Sequence, residues 1–189
     1  MNTLMHICCA PCANRPIAQL REEGHSVTGF WFNPNIHPYT EYQARKATLE
    51  NYAKEIGMKL IIGGRYDLRT FITNVADNID GRCAYCYRVR MEETAKYAAE
   101  HGFDSFTTSL LISPYQKHDA IAAIAREMGQ QYGVEFLYRD FRPLFREGQE
   151  FAREHGFYMQ KYCGCIFSEE ERYMAAKWKK EAKRREQEA

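Results

Sequence analysis

No apolar run in these 189 residues approaches the roughly 20 consecutive residues that a membrane-spanning helix requires. The N-terminus, MNTLMHICCAPC, lacks the basic head and long apolar stretch of a secretory signal. Neither charge sign is in excess: 26 basic against 25 acidic side chains leave a formal charge of +1, which excludes a uniformly basic nucleic-acid coat protein. Internal repeats, low-complexity stretches and an interdomain linker are also missing. These absences set the expectation of a cytosolic (cytoplasmic) protein without membrane association. A chain of this length is expected to fold as a single domain over residues 1–189, with a core of about 1–167 and a charged C-terminal helix over about 168–189.

Enough apolar material is present for a core: 45% of residues are hydrophobic and 27% charged, which is not the composition of a disordered chain. Seven cysteines are an odd number, and they fall in clusters. In a reducing compartment, clustered cysteines argue for metal or redox chemistry over a disulfide framework.

Periodicity predicts alternating strands and helices. Strands are expected over residues 3–7, 27–32, 58–62, 104–111 and 134–138, and helices over 14–23, 41–56, 86–100, 117–131 and 146–154. A terminal helix is expected to open with Ser168 as its N-cap and the acidic run Glu169, Glu170 and Glu171 in its first turn. Alternation of this kind predicts an α/β fold, a mostly parallel Rossmann-like sheet with helices on both faces.

The cysteines sit where such a fold does chemistry. Cys8, Cys9 and Cys12 follow the first strand and open the first helix, the place where open α/β sheets bind ligands. In nucleotide-binding relatives that turn is glycine-rich; here it has no glycine, and three sulfurs point to soft-metal ligation instead. The bland alternative is that each is a small buried residue. Cys83 and Cys86 form a C-x-x-C turn that can hold zinc or two corners of an iron–sulfur cluster, with Arg82, Arg88 and Arg90 beside it to offset thiolate charge. Cys163-Gly164-Cys165 can bridge only if the backbone bends, which Gly164 permits, and a strained pair of this kind is redox-labile. A four-thiolate site leaves three of the seven sulfurs over. Cys8, Cys9, Cys83 and Cys86 make one such set, Cys163 and Cys165 a separate pair, and Cys12 remains.

Six strings in order resemble the cobalamin-independent epoxyqueuosine reductase QueH family: HICCAPC (6–12), FNPNIHPYTEY (32–42), RCAYCYRVR (82–90), TTSLLISPYQKH (107–118), DFRPLF (140–145) and YMQKYCGCIFS (158–168). The resemblance implies reduction of the epoxide of epoxyqueuosine, at the wobble position of certain tRNAs, to queuosine. It also implies a [4Fe–4S] cluster and an adenine nucleotide alpha hydrolase-like fold. Carried onto this chain, it implies Cys8, Cys9, Cys83 and Cys86 as cluster ligands and Cys163 with Cys165 as a redox-active pair. A second form of the resemblance has three cysteines holding a cluster with an open iron while other cysteines hold an adjacent mononuclear iron.

Epoxide deoxygenation needs two electrons, supplied here by an unidentified electron donor, and two protons. Asp140, placed after the strand at 134–138, is the first candidate for the proton donor or an extra metal ligand, with His118 and Tyr115 behind it; an ion pair with Arg139 or Arg142 is the plain alternative for Asp140. A tRNA partner calls for local positive charge and aromatic faces, for which Arg139, Arg142, Arg146 and the basic residues of 177–185 are candidates along with Tyr39, Tyr42, Tyr85, Tyr87, Tyr115 and Tyr162. Two rivals remain. One is a thiol–disulfide oxidoreductase using Cys9 and Cys12; the other is a zinc-stabilised RNA-binding module with Cys83, Cys86, Cys163 and Cys165 as ligands.

Overall fold

A computed structural model describes residues 1–188. Strand β1 (Asn2–His6) is followed by α1 (Ala10–Glu22), β2 (Ser26–Trp31), α2 (Tyr39–Glu55), β3 (Leu60–Ile62), α3 (Leu68–Val75), α4 (Arg82–Glu100), β4 (Ser105–Thr108), α5 (His118–Tyr132), β5 (Glu135–Phe136), α6 (Phe145–Glu154) and α7 (Ile166–Glu188). All strand pairs are parallel, in the order β3-β2-β1-β4-β5. Right-handed crossovers therefore place α1 and α2 on one face of the sheet and α4 and α5 on the other. The packing agrees, with α1 against α2 and α6, and α4 against α5.

β1 is central and buried on both faces, which is why it carries the apolar Leu4 and Met5 in succession rather than an alternating pattern. Phe30 and Trp31 from β2 and Phe106 from β4 join them in the core. The sheet packs tightly at Gly29, where a Cβ would lie 2.9 Å from both Leu60 Cδ1 and Met58 Cε. The winding reverses between β1 and β4. Their carboxyl ends thus define the topological switch point, and the residues leaving them are Ile7, Cys8 and Cys9 on one side and Ser109 on the other.

The expected elements recur, with the helix of 14–23 beginning at Ala10, the helix of 86–100 beginning at Arg82 and the strand of 58–62 shortened to Leu60–Ile62, and with four further differences. The strand anticipated over 104–111 stops at Thr108, because the Thr108 hydroxyl accepts from Leu110 N at 3.2 Å and turns the chain into a 3-10 helix (Ser109–Ile112). The strand anticipated over 134–138 shortens to two residues. Helix α3 was not anticipated; its eight residues bury only Phe71 and Val75, too few to display a period. Ser168 is the third residue of α7 and not its N-cap, and its hydroxyl donates back to Cys165 O at 2.7 Å. No helix among the described residues is long and apolar enough to cross a membrane.

Candidate metal and thiol centre

β1 hands the chain to α1 in a three-residue turn. Ile7 N donates to Phe30 O at 2.9 Å, and the extended Cys9 caps a helix with proline in its first turn. Cys12 lies three positions beyond Cys9 and returns to the same face. The Sγ atoms of Cys8, Cys9 and Cys12 accordingly lie within 4.8 Å of one another, all buried. Two groups from distant segments close over them. Ser109 Oγ lies 3.8 Å from Cys8 Sγ, and the Gln160 amide places Nε2 at 2.9 Å from Cys9 Sγ and 3.1 Å from Cys12 Sγ.

The trio does not titrate as three independent thiols. Hydrogen bonds from Cys12 and Cys9 draw Cys8 well below the ordinary thiol range, whereas burial pushes Cys9 up and donation to Cys8 pushes Cys12 up. Of the three sulfurs, Cys8 is the one whose ionised form the surroundings favour. Positive charge comes from Arg45 and Arg90, both buried and both acting on Cys8.

The remaining four cysteines meet around a second, smaller cavity. Cys83 and Cys86 lie one turn apart at the start of α4, and with Cys163, Cys165 and Arg90 they line the same space. Arg90 Nη2 lies 3.0 Å from Cys86 Sγ, and burial pushes the Cys86 thiol up to about 11. Cys163 is exposed and Cys165 buried. The hydrogen bond from Cys165 holds Cys163 down to about 6, while donation to Cys163 pushes Cys165 up; Ser168 Oγ lies 3.0 Å from Cys163 Sγ. Gly164, at φ 135°, makes the turn between them, where a Cβ would come within 3.1 Å of Ile36 Cγ1. Arg45 pins this loop: its Nη1 donates to Cys163 O at 3.1 Å and Nη2 to Tyr162 O at 3.0 Å, while Nε is bonded to Glu41 at 2.7 Å.

The grouping differs from the four-ligand set expected from the sequence. Cys12, expected to be left over, completes the compact group with Cys8 and Cys9, whereas Cys83 and Cys86 lie with Cys163 and Cys165. The two groups adjoin, because Cys163 lines the smaller cavity and also a larger one of about 620 Å³ that reaches Cys8 and Cys12. Asp140 lines neither cavity. Arg142 donates to it through Nε at 2.8 Å, Nη2 at 2.7 Å and backbone N at 3.0 Å, which holds its carboxyl down to about 2. The ion pair with Arg142, the plain alternative, is present, and a carboxylate held this acidic is ionised near neutrality, which bears on the proton-donor role and not on metal ligation. His118 is buried against the Tyr138 hydroxyl at 3.0 Å, away from both cavities, and Tyr115 does line the larger one. Gln160 and Arg45 were missed in the sequence. Gln160 lay in plain view inside YMQKYCGC, and Arg45 reads as an ordinary i, i+4 partner of Glu41 on a charged helix. Cys9 and Cys12 are buried thiols with raised pKa, the opposite of what an exchanging thioredoxin-like pair requires.

This is a doubly wound α/β protein with a buried soft-donor site at its topological switch point and a thiol pair beside it. A family profile described as epoxyqueuosine reductase QueH matches residues 3–171. Epoxyqueuosine reductase QueH of Dehalococcoides mccartyi is 39% identical over 170 residues, covering 90% of this chain and 93% of that protein. The protein of the same name from Thermotoga maritima is 34% identical over 174 residues, covering 87% and 88%. The chain belongs to the epoxyqueuosine reductase QueH family. Its fold is shared with a structure described as a predicted subunit of tRNA methyltransferase from Methanocaldococcus jannaschii, at TM-score 0.51 and 13% identity over 83% of this chain and 89% of that one.

Proposed function

We infer that this chain reduces the epoxide of epoxyqueuosine in tRNA to the alkene of queuosine, with an iron–sulfur centre held at Cys8, Cys9 and Cys12. The observation that carries this reading is the convergence of those three buried sulfurs, two of which, Cys8 and Cys12, line the 620 Å³ cavity where a substrate could reach them. The donor chemistry fits such a group. Three soft sulfurs within ligating reach of one another and the cations Arg45 and Arg90 to offset thiolate charge are what iron bound by sulfur requires. When bound, a [4Fe–4S] cluster carries single electrons and, with an open position, acts as a Lewis acid.

The other residues have definable tasks. Removing the oxygen of an epoxide as water consumes two electrons and two protons. Oxidising the two thiols of Cys163 and Cys165 to a disulfide releases the same number of each, and an external electron donor must then restore them. Cys163, ionised near neutrality, is the reactive member, and the buried Cys165 keeps its proton until the bond forms. Arg45 holds the loop of both against α2.

Anaerobic isolation with iron and sulfide analysis tests the centre, and mass spectrometry of nucleosides from treated tRNA tests the reaction. Loss of most iron in Cys12→Ser and its retention in Cys83→Ser is the expected result. Retention in Cys12→Ser with loss in Cys83→Ser would return the ligand set to Cys8, Cys9, Cys83 and Cys86. A fifth iron per chain would place a mononuclear iron beside the cluster. Stoichiometric zinc with an unaltered nucleoside would overturn the reading in favour of an RNA-binding module.

A further inference from the structure

The large cavity has a wall that the chemistry above leaves unused. Tyr115 lines it and is 85% exposed, the most exposed of the large apolar side chains among the described residues. Phe145, at the start of α6, meets the tyrosine ring edge to face, with centroids 5.8 Å apart and an interplanar angle of 81°. A single exposed aromatic is ordinary, but this one is paired with Phe145 on the wall of a cavity that reaches Cys8 and Cys12, where it offers a planar ligand a stacking face.

The backbone beneath Tyr115 is fixed although its ring is exposed. Tyr115 N donates to the Ser113 hydroxyl at 3.2 Å, and Ser113 N donates to Leu110 O at 3.2 Å. The next two residues are tied to α4, where the Tyr87 hydroxyl donates to Gln116 Oε1 at 2.7 Å and accepts from Lys117 N at 3.3 Å. A ring presented on a rigid loop loses little conformational entropy when something stacks on it. Around the same cavity stand Arg153, Lys161 and Arg172, from α6, the cysteine loop and α7, none ion-paired among the described residues. The one carboxylate on this wall, Glu171, is already neutralised by Arg82 at 2.5 Å.

We propose that Tyr115, backed by Phe145, is the stacking seat for one unpaired nucleobase of the RNA, and that Arg153, Lys161 and Arg172 receive the phosphates flanking it. Stacking on an aromatic face is how single-stranded loop bases are held, and cations around a cavity suit the backbone that must bend to deliver the base. The assignment rests on the RNA-substrate reading and adds to it the surface on which the base lies.

The test uses the full chain and an anticodon stem–loop carrying 2-aminopurine at the wobble position, whose emission falls when the base stacks. Tyr115→Ala is expected to weaken binding about tenfold, the loss of one base–aromatic stack, and to give a saturated complex brighter than wild type, while Tyr115→Phe keeps both properties. Thermal melting confirms folding, which truncation of so exposed a side chain leaves intact. Wild-type affinity and emission in Tyr115→Ala would overturn the seat with the RNA reading intact. A wild-type chain that ignores the stem–loop at low salt would remove that reading, and the seat with it.

Discussion

Arg90 Nη2 lies 3.0 Å from Cys86 Sγ, and this buried guanidinium has no carboxylate within ion-pair distance among the described residues. Its charge is felt by Cys86 first and by Cys8 and Cys163 as well, so one cation stands between the two sulfur groups. A buried charge without a partner is strongly destabilising, and here the sulfurs are the partner. The relation is reciprocal, since thiolates collected in a dry site also need a cation.

Arg90→Met is therefore expected to reduce the iron retained after anaerobic isolation by about tenfold, the usual scale for loss of a supporting group around a metal site, with Arg90→Lys intermediate. Iron analysis on folded protein, checked by circular dichroism, measures it. Equal iron in all three proteins would show that the sulfurs do not depend on this cation.

Cys163 and Cys86 should part company in their reaction with iodoacetamide. The thiolate is the nucleophile, and a thiol held down to about 6 is mostly ionised above that pH, so alkylation of Cys163 should rise through pH 6 and level off by neutrality. Cys86, pushed up to about 11, stays protonated and inert over the same range. Peptide mapping after timed labelling of the metal-free chain reads both, and a Cys163 rate still climbing through pH 8 would contradict the arrangement with Cys165 and Ser168.

Replacing Asp140 with Asn should leave turnover near normal at unchanged iron content, because this carboxylate serves Arg142 and not the cavity. Its folded pKa of about 2 lies below the unfolded value, so its ionic stabilisation is present above about pH 4 and lost as pH falls through 2. With the pair more than a third exposed, solvent screening limits the effect to about 0.5 kcal/mol. Urea unfolding at pH 7 and at the acid limit measures the difference; a turnover loss of orders of magnitude would return Asp140 to the chemistry.

Much of the fold was legible because period and punctuation are local. Residues 3–7, 27–32 and 41–56 announced their strands and helix within one residue or two, since apolar runs and flanking Gly or Asn act over a few positions. Helix α3 was hidden for the same reason in reverse: eight residues with two buried side chains do not repeat often enough to be seen.

The sequence by itself determined that Cys8, Cys9 and Cys12 share one turn, that Cys83 and Cys86 share another, and that Gly164 allows Cys163 and Cys165 to fold back. Those relations are set by the geometry of three or four consecutive residues. Which sulfurs face one another across the molecule was decided only by the tertiary structure. Sheet order and crossover handedness brought Gln160 onto Cys9 across 151 positions and set Arg90 beside both groups, while Asp140 was carried away to Arg142. No local spacing encodes those distances, because they depend on how separate elements pack and not on how far apart they stand in the chain.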